Sequence, residues 1–160
     1  KILDSFNRVR QRVDNLINQI DEHTKRFPPH CCWDKLRGEL KELRDVLRKV
    51  RKGILSEEEN LEIYQIDIGK PDVIAQQVSP VFGDNELQYN TGWNQMSEED
   101  LDENNFHELS HIYGTEDDNT KGEFMNAHTI DNMMREDLKN NISFRFMKLQ
   151  AEKCCKEESK

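Results

Sequence analysis

Two histidines stand four residues apart in the segment from residue 104 to 119, and Glu108 directly follows the first of them. On an α-helix, His107 and His111 would lie one turn apart on the same face, so both imidazoles could bind one metal ion. Glu108 is rotated by about 100° from His107, so it can flank the ion without binding it. Zinc lowers the pKa of a bound water toward neutrality, and a flanking carboxylate can accept that water's proton. The spacing therefore predicts a zinc site for hydrolysis, with Glu108 as the general base.

A catalytic zinc site has three protein ligands and one open position, so a third ligand must follow the helix. Gly114 can end the helix and permit a sharp reversal of the chain. Asp117 comes six residues after His111, and we expect its carboxylate to swing back toward the metal. Thr115 is expected to orient the turn through its hydroxyl. Three acidic residues are rivals for the third ligand position: Glu116, Asp118 and Glu123.

The short histidine pattern also arises by chance, which leaves a second interpretation open. In that case the histidines are solvated on a surface helix, and the residues after them form an ordinary acidic loop. The chain would then be a structural helix hairpin that recruits or inhibits a partner helix.

Two amphipathic runs precede the motif. Apolar residues recur at three- and four-residue steps over residues 2–26, and the prolines at 28–29 stop this run. A second run begins near Trp33 and is expected to end at Gly53. Residues 1–55 are therefore predicted to form an antiparallel helical hairpin.

The rest of the chain, residues 56–160, is expected to form the portion that includes the motif helix. We predict a single domain with a mainly α (α+β) fold, in which the hairpin packs on this portion and its short sheet. The expected elements after the hairpin are a helical turn from Ser56, a strand near 63–68, a second strand within 83–93, a helix capped by Ser97, and helices over 123–139 and 142–155.

Charge and length argue against two classes of partner. The chain has 160 residues, a net charge of -9 and an estimated pI of about 5.1. Nucleic acid and anionic membrane would repel such a chain, so neither is an expected partner. No stretch approaches the length of a transmembrane span.

Four cysteines form two adjacent pairs, at residues 31–32 and 154–155. A disulfide between sequence neighbours is strained, so we expect cross-pairing between the two pairs. Such bonds would indicate a secreted protein, and the absence of an initial methionine would fit a mature or trimmed product. Four reduced thiols remain the alternative. A four-cysteine zinc cluster is disfavoured, because the usual spacer within each pair is missing.

The segment HELSHIYGTED resembles the active-site segment of the aspzincin metallopeptidases, the deuterolysin and peptidyl-Lys endopeptidase group. The resemblance implies that His107, His111 and Asp117 bind zinc and that Glu108 is the catalytic glutamate. It also implies a zincin-like fold for residues 56–160.

The resemblance covers about residues 101–135 and includes departures from the family pattern. The turn before the glycine is shorter, and the tyrosine that follows the family's aspartate is absent. Tyr113 or His128 is expected to replace that tyrosine as a hydrogen-bond donor to the oxyanion. In lysine-specific members, two acidic residues on the later helix read the substrate's basic side chain. Here His128 stands at the first of these positions and Asp131 at the second.

The residues and the resemblance together predict a zinc-dependent metalloendopeptidase that acts on a peptide or protein substrate. The alternative is a catalytically inactive secreted binding module that retains a zincin-like fold. In that alternative the N-terminal hairpin is the expected surface for a protein partner.

Overall fold

The computed structural model describes residues 1–55, 62–70, 72–73, 75–78 and 86–160. This part of the chain is mainly helical with one small sheet, which confirms the coarse prediction of a mainly α chain with a short sheet. The helices are α1 (Ile2–Lys25), α2 (Cys31–Leu55), α3 (Glu98–Ile112), α4 (Ala127–Arg135) and α5 (Ile142–Glu158). The strands are β1 (Glu62–Gln65), β2 (Ala75–Val78) and β3 (Glu86–Tyr89), and single 3₁₀ turns lie at Trp93–Gln95, Glu123–Met125 and Leu138–Asn140.

Helices α1 and α2 form the predicted hairpin. Two ion pairs show that they run antiparallel, because Arg44 lies 2.8 Å from Asp21 and Arg51 lies 2.9 Å from Asp14. Apolar side chains at helical spacing fill the space between the helices, and burial of such surface is the main favourable term in folding. Those that are fully buried include Val9, Val13, Leu40, Leu43, Leu47 and Val50.

The predicted end of α2 at Gly53 is wrong, because the helix continues to Leu55. A glycine inside a helix costs only about 1 kcal/mol relative to alanine. Leu47 and Val50, in the two preceding turns, are fully buried, and their packing outweighs that cost.

The sheet has three strands in the order β1-β3-β2. Strand β1 is parallel to β3, and β2 is antiparallel to β3 with Gln77 opposite Leu87. The expected strands near 63–68 and within 83–93 correspond to β1 and β3. The helical turn expected from Ser56 lies outside the described residues. Strand β2 is one of the two edge strands, and it packs against α3.

The single helix expected over residues 123–139 is wrong, because the chain breaks it into a 3₁₀ turn, α4 and a second 3₁₀ turn. Asn126 adopts an extended backbone, and its side chain accepts a hydrogen bond from the backbone N–H of His128. Asp137 likewise caps the last turn by accepting from the backbone N–H of Lys139. Such side-chain caps compete with a continuous helix, because they satisfy backbone groups locally.

A disulfide between Cys32 and Cys155 joins α2 to α5, with the two Cα atoms 5.3 Å apart. The predicted cross-pairing is therefore confirmed for one bond between the two cysteine pairs. Cys31 and Cys154 are free thiols. Among the described helices, none combines the length and apolar character needed to cross a lipid bilayer.

A buried polar network connects α1, α3 and β3. Ser5 donates to Asp102 at 2.6 Å, and Arg8 donates to both oxygens of the same carboxylate at 2.8 Å. The Asn105 side-chain amide donates to the Ser5 hydroxyl at 2.7 Å, and its oxygen Oδ1 accepts from the Tyr89 hydroxyl. The Asp102 side chain is only 1% exposed, so the network holds α3 at one rotation about its axis.

We predict that Asp102→Ala lowers the free energy of unfolding by about 2–3 kcal/mol, because the donors of Arg8 and Ser5 lose a charged acceptor. Urea denaturation followed by circular dichroism measures the change. Glu99→Ala, on an exposed face of the same helix, is the matched control and should cost less than about 1 kcal/mol. Equal losses in the two variants would contradict the role given to the network.

Candidate metal centre

Helix α3 has one face buried in the core and an opposite face that lines a cleft. It begins after the predicted cap, where the Ser97 hydroxyl accepts a hydrogen bond from the Asp100 backbone N–H at 3.1 Å. Leu101, Phe106 and Leu109 are buried against the core. The opposite face presents residues at steps of three and four, as one side of a helix must. These residues are Asn104, His107, Glu108 and His111.

The two histidines and Asp117 converge on one point. His107 Nε2 lies 2.9 Å from Asp117 Oδ1, and His111 Nε2 lies 3.2 Å from the same oxygen. The imidazole centroids are 4.8 Å apart with nearly perpendicular planes. Nitrogen and carboxylate donors at this spacing form a group that suits zinc.

The other nitrogen of each imidazole is already engaged. His111 Nδ1 lies 3.0 Å from the Thr115 carbonyl oxygen, and His107 Nδ1 lies 2.8 Å from Asp131 Oδ2. A carbonyl or carboxylate oxygen only accepts, so both Nδ1 atoms must donate. The neutral rings then present Nε2 lone pairs to the Asp117 carboxylate. These three acceptors repel one another unless a cation or protons lie between them, which is the property expected of a metal site.

The turn after α3 brings Asp117 to this point. The helix ends at Ile112, and Gly114 has φ of 103°, which confirms the predicted reversal. Thr115 is buried, and its hydroxyl lies 2.7 Å from the Ser110 hydroxyl. The backbone of Glu116 then pairs with the segment before α4, through hydrogen bonds of 2.9 and 2.8 Å. The loop is thus held directly before Asp117.

Glu108 lies in a cleft of about 510 Å³ between β2 and α3, which His111, Asp117, Asn104 and Gln77 also line. Its Oε2 accepts a 2.8 Å hydrogen bond from the Gln77 backbone N–H. Burial raises the pKa of Glu108 above its usual value, and the Gln77 hydrogen bond only partly opposes that rise. A carboxylate with a raised pKa beside a metal site suits general acid–base chemistry.

Asp131 lies behind His107 and is only 4% exposed. Burial raises the pKa of Asp131, and the hydrogen bond from His107 opposes the rise. Burial lowers the pKa of His107, but the hydrogen bond and charge of Asp131 raise it overall. From this position Asp131 orients the imidazole through Oδ2. It also lines a pocket with His107 and His128, and the substrate contact suggested by sequence stays a prediction.

The two residues expected to help at the oxyanion lie in different places. His128 is exposed, and its Nε2 is 3.6 Å from Asp117 Oδ1. Its ring centroid is 4.7 Å from that of His107, so it borders the candidate centre. Tyr113 caps the C-terminal end of α3 and packs against the hydrophobic core, outside the residues that line the cleft.

The rival third ligands do not join the donor group that the described residues form around His107 and His111. Asp118 accepts hydrogen bonds from Thr120, and Glu116 pairs with Lys121 at 2.9 Å. Glu123 begins the 3₁₀ turn before α4.

Three positions at the site were not assigned their observed roles from sequence. The Gln77 backbone N–H and the Thr115 carbonyl act through main-chain atoms, which residue type does not reveal. The role of Asp131 toward His107 depends on how α4 packs against α3. The resemblance to the later helix of the aspzincins was the only sequence signal at that position.

No protein-family model, curated protein or solved structure matches this chain. The resemblance to the aspzincins therefore stays a prediction from the motif residues.

We predict that Asp131→Asn weakens zinc binding by about tenfold, because the carboxylate no longer increases the basicity of His107. Competition with a chelator of known affinity measures the change.

Asp118→Asn is the matched control, since Asp118 is exposed and adjoins the candidate ligand Asp117. Its zinc affinity should equal that of the wild type. If Asp118→Asn bound zinc more weakly while Asp131→Asn bound it as tightly as the wild type, the supporting role given to Asp131 would be wrong.

Proposed function

We propose that this chain is a zinc-dependent metalloendopeptidase whose zincin-like portion includes the described sheet and α3. One observation carries the proposal. His107 Nε2, His111 Nε2 and Asp117 Oδ1 converge while both Nδ1 atoms donate elsewhere, and Glu108 faces the adjoining cleft. Three protein ligands leave the fourth zinc position for a water, which is the arrangement of catalytic sites.

The residues divide the chemistry among them. Bound zinc would supply Lewis acidity and lower the pKa of the attacking water. Glu108 would accept the proton of that water and return it to the leaving amine, and its raised pKa favours holding the proton between the two transfers. Asp131 and the Thr115 carbonyl keep the two imidazoles in the tautomer that offers Nε2.

The proposed substrate class rests on the edge strand β2. In β2 the Gln77 backbone N–H points away from β3 and toward Glu108. An extended peptide laid along this side of β2 would replace Glu108 as the acceptor of the Gln77 N–H and add as a strand, and its scissile carbonyl would lie beside Glu108 and the metal. A peptide or protein chain therefore fits this cleft, and we infer a secreted enzyme from the disulfide.

A second function is favoured by the position of His128. Its Nε2 lies 3.6 Å from the oxygen that both other histidines approach, so it can act as a fourth ligand. A zinc ion with four protein ligands has no open position and is structural. The chain would then be an inactive secreted binding module, with the α1–α2 hairpin as its surface for a protein partner.

We predict about one zinc ion per chain in protein purified under oxidising conditions without a tag or chelator, and none in His111→Ala. Elemental analysis measures the ratio. Zinc bound equally by both proteins would overturn the assigned ligand set.

Glu108→Gln should keep its zinc and lose turnover by a factor of about 10² to 10⁴, because the amide cannot accept the proton. Cleavage of a broad peptide library gives the rate, and Glu116→Gln is the control with unchanged turnover. If the zinc-loaded wild type cleaves no peptide and His128→Ala does, the fourth-ligand alternative is correct.

A further inference from the structure

A second group of metal-ligating side chains lies at the ends of α2 and α5, on elements separate from α3. It comprises His30, Cys31 and Cys32 at the start of α2, and Cys155 and Glu158 near the end of α5. We call these five residues the helix-end cluster. His30 Nδ1 is 3.1 Å from the sulfur of Cys32, 3.6 Å from that of Cys31 and 3.7 Å from that of Cys155.

These separations match the edges of a tetrahedral zinc site. With Zn–N near 2.0 Å and Zn–S near 2.3 Å, a nitrogen and a sulfur at two corners lie about 3.5 Å apart. His30 forms one close group with Cys32 and Cys155 and another with Cys31 and Glu158. A turn of the exposed Cys31 side chain away from Glu158 would complete the Cys₃His donor set of structural zinc. Glu158 Oε2 accepts from the Cys31 thiol at 2.7 Å and lies 3.3 Å from His30 Nδ1, so it would withdraw from both atoms when they bind the ion.

The disulfide decides whether this donor set exists. Cys32 and Cys155 are joined, so the oxidised chain lacks two of the thiolates. A thiol or phosphine reductant would deliver two electrons, and with two protons it would convert the bond to two thiols while the reductant is oxidised. Metal binding would then displace the thiol protons of Cys31, Cys32 and Cys155.

We propose that the helix-end cluster is a redox-gated site for a thiophilic divalent cation such as zinc. When oxidised it is a disulfide, and when reduced it holds the ion through His30, Cys31, Cys32 and Cys155. The ion would then connect α2 to α5 in place of the disulfide. This inference does not depend on the peptidase proposal.

The test uses the full chain carrying His111→Ala, so that the candidate metal centre does not compete. The protein is reduced with a phosphine, freed of it without oxygen, and titrated with Co²⁺ alone. A thiolate-to-cobalt absorption band that saturates at one ion per chain is expected in the reduced protein and not in the oxidised one.

Alkylation with and without Co²⁺, read by mass spectrometry, identifies the ligands. Cys31, Cys32 and Cys155 should become protected, while Cys154 reacts as before and serves as the control inside the same molecule. Cys31→Ser should weaken cobalt binding by more than about tenfold, and Cys154→Ser should leave it unchanged. Equal loss in the two variants would overturn the proposal.

If reduction of the disulfide unfolds α5, circular dichroism can measure whether Co²⁺ restores the helix. Recovery of the helical signal on adding Co²⁺ would support the site. A reduced chain that neither binds Co²⁺ through thiolate nor recovers helix would overturn it.

Discussion

Asp102 carries its carboxylate into the interface between α1 and α3, where only 1% of the side chain stays exposed. A buried carboxylate costs several kcal/mol unless charge and hydrogen bonds compensate it. Arg8 and Ser5 supply that compensation, and Asn105 with Tyr89 extends it to the sheet. Turning α3 by one residue would break these bonds and also bring its apolar stripe to water. The network therefore determines which face of α3 lines the cleft.

The N-terminal hairpin supports the candidate centre from behind. Helix α1 contacts the face of α3 that carries Asp102 and Asn105, which is opposite to the cleft. The disulfide from Cys32 to Cys155 then joins the hairpin to α5. The cleft itself lies between α3 and β2, so the described part of the hairpin braces the site without forming its walls.

Each imidazole at the candidate centre is oriented by an oxygen atom, one from the adjacent turn and one from a separate helix. The Thr115 carbonyl that holds His111 comes from the turn directly after the helix, four residues later in the chain. The Asp131 carboxylate that holds His107 comes from α4, 24 residues later. The first contact is local and follows from the Gly114 turn. The second needs the packing of α4 on α3, where Ile130 and Phe106 are buried in the same core.

The sequence by itself determined the helices of the hairpin, the capped motif helix and the turn at Gly114. Each depends on local periodicity, a cap or a backbone conformation that glycine adopts easily. It also indicated that the two cysteine pairs would cross-link, since neighbouring cysteines pair poorly. Only the tertiary structure decided that Asp131 contacts His107 and that the Gln77 N–H donates to Glu108. It also decided that His30 lies within 3.7 Å of three sulfur atoms. Those contacts link residues on different elements, and long-range packing, which no local pattern encodes, brings them together.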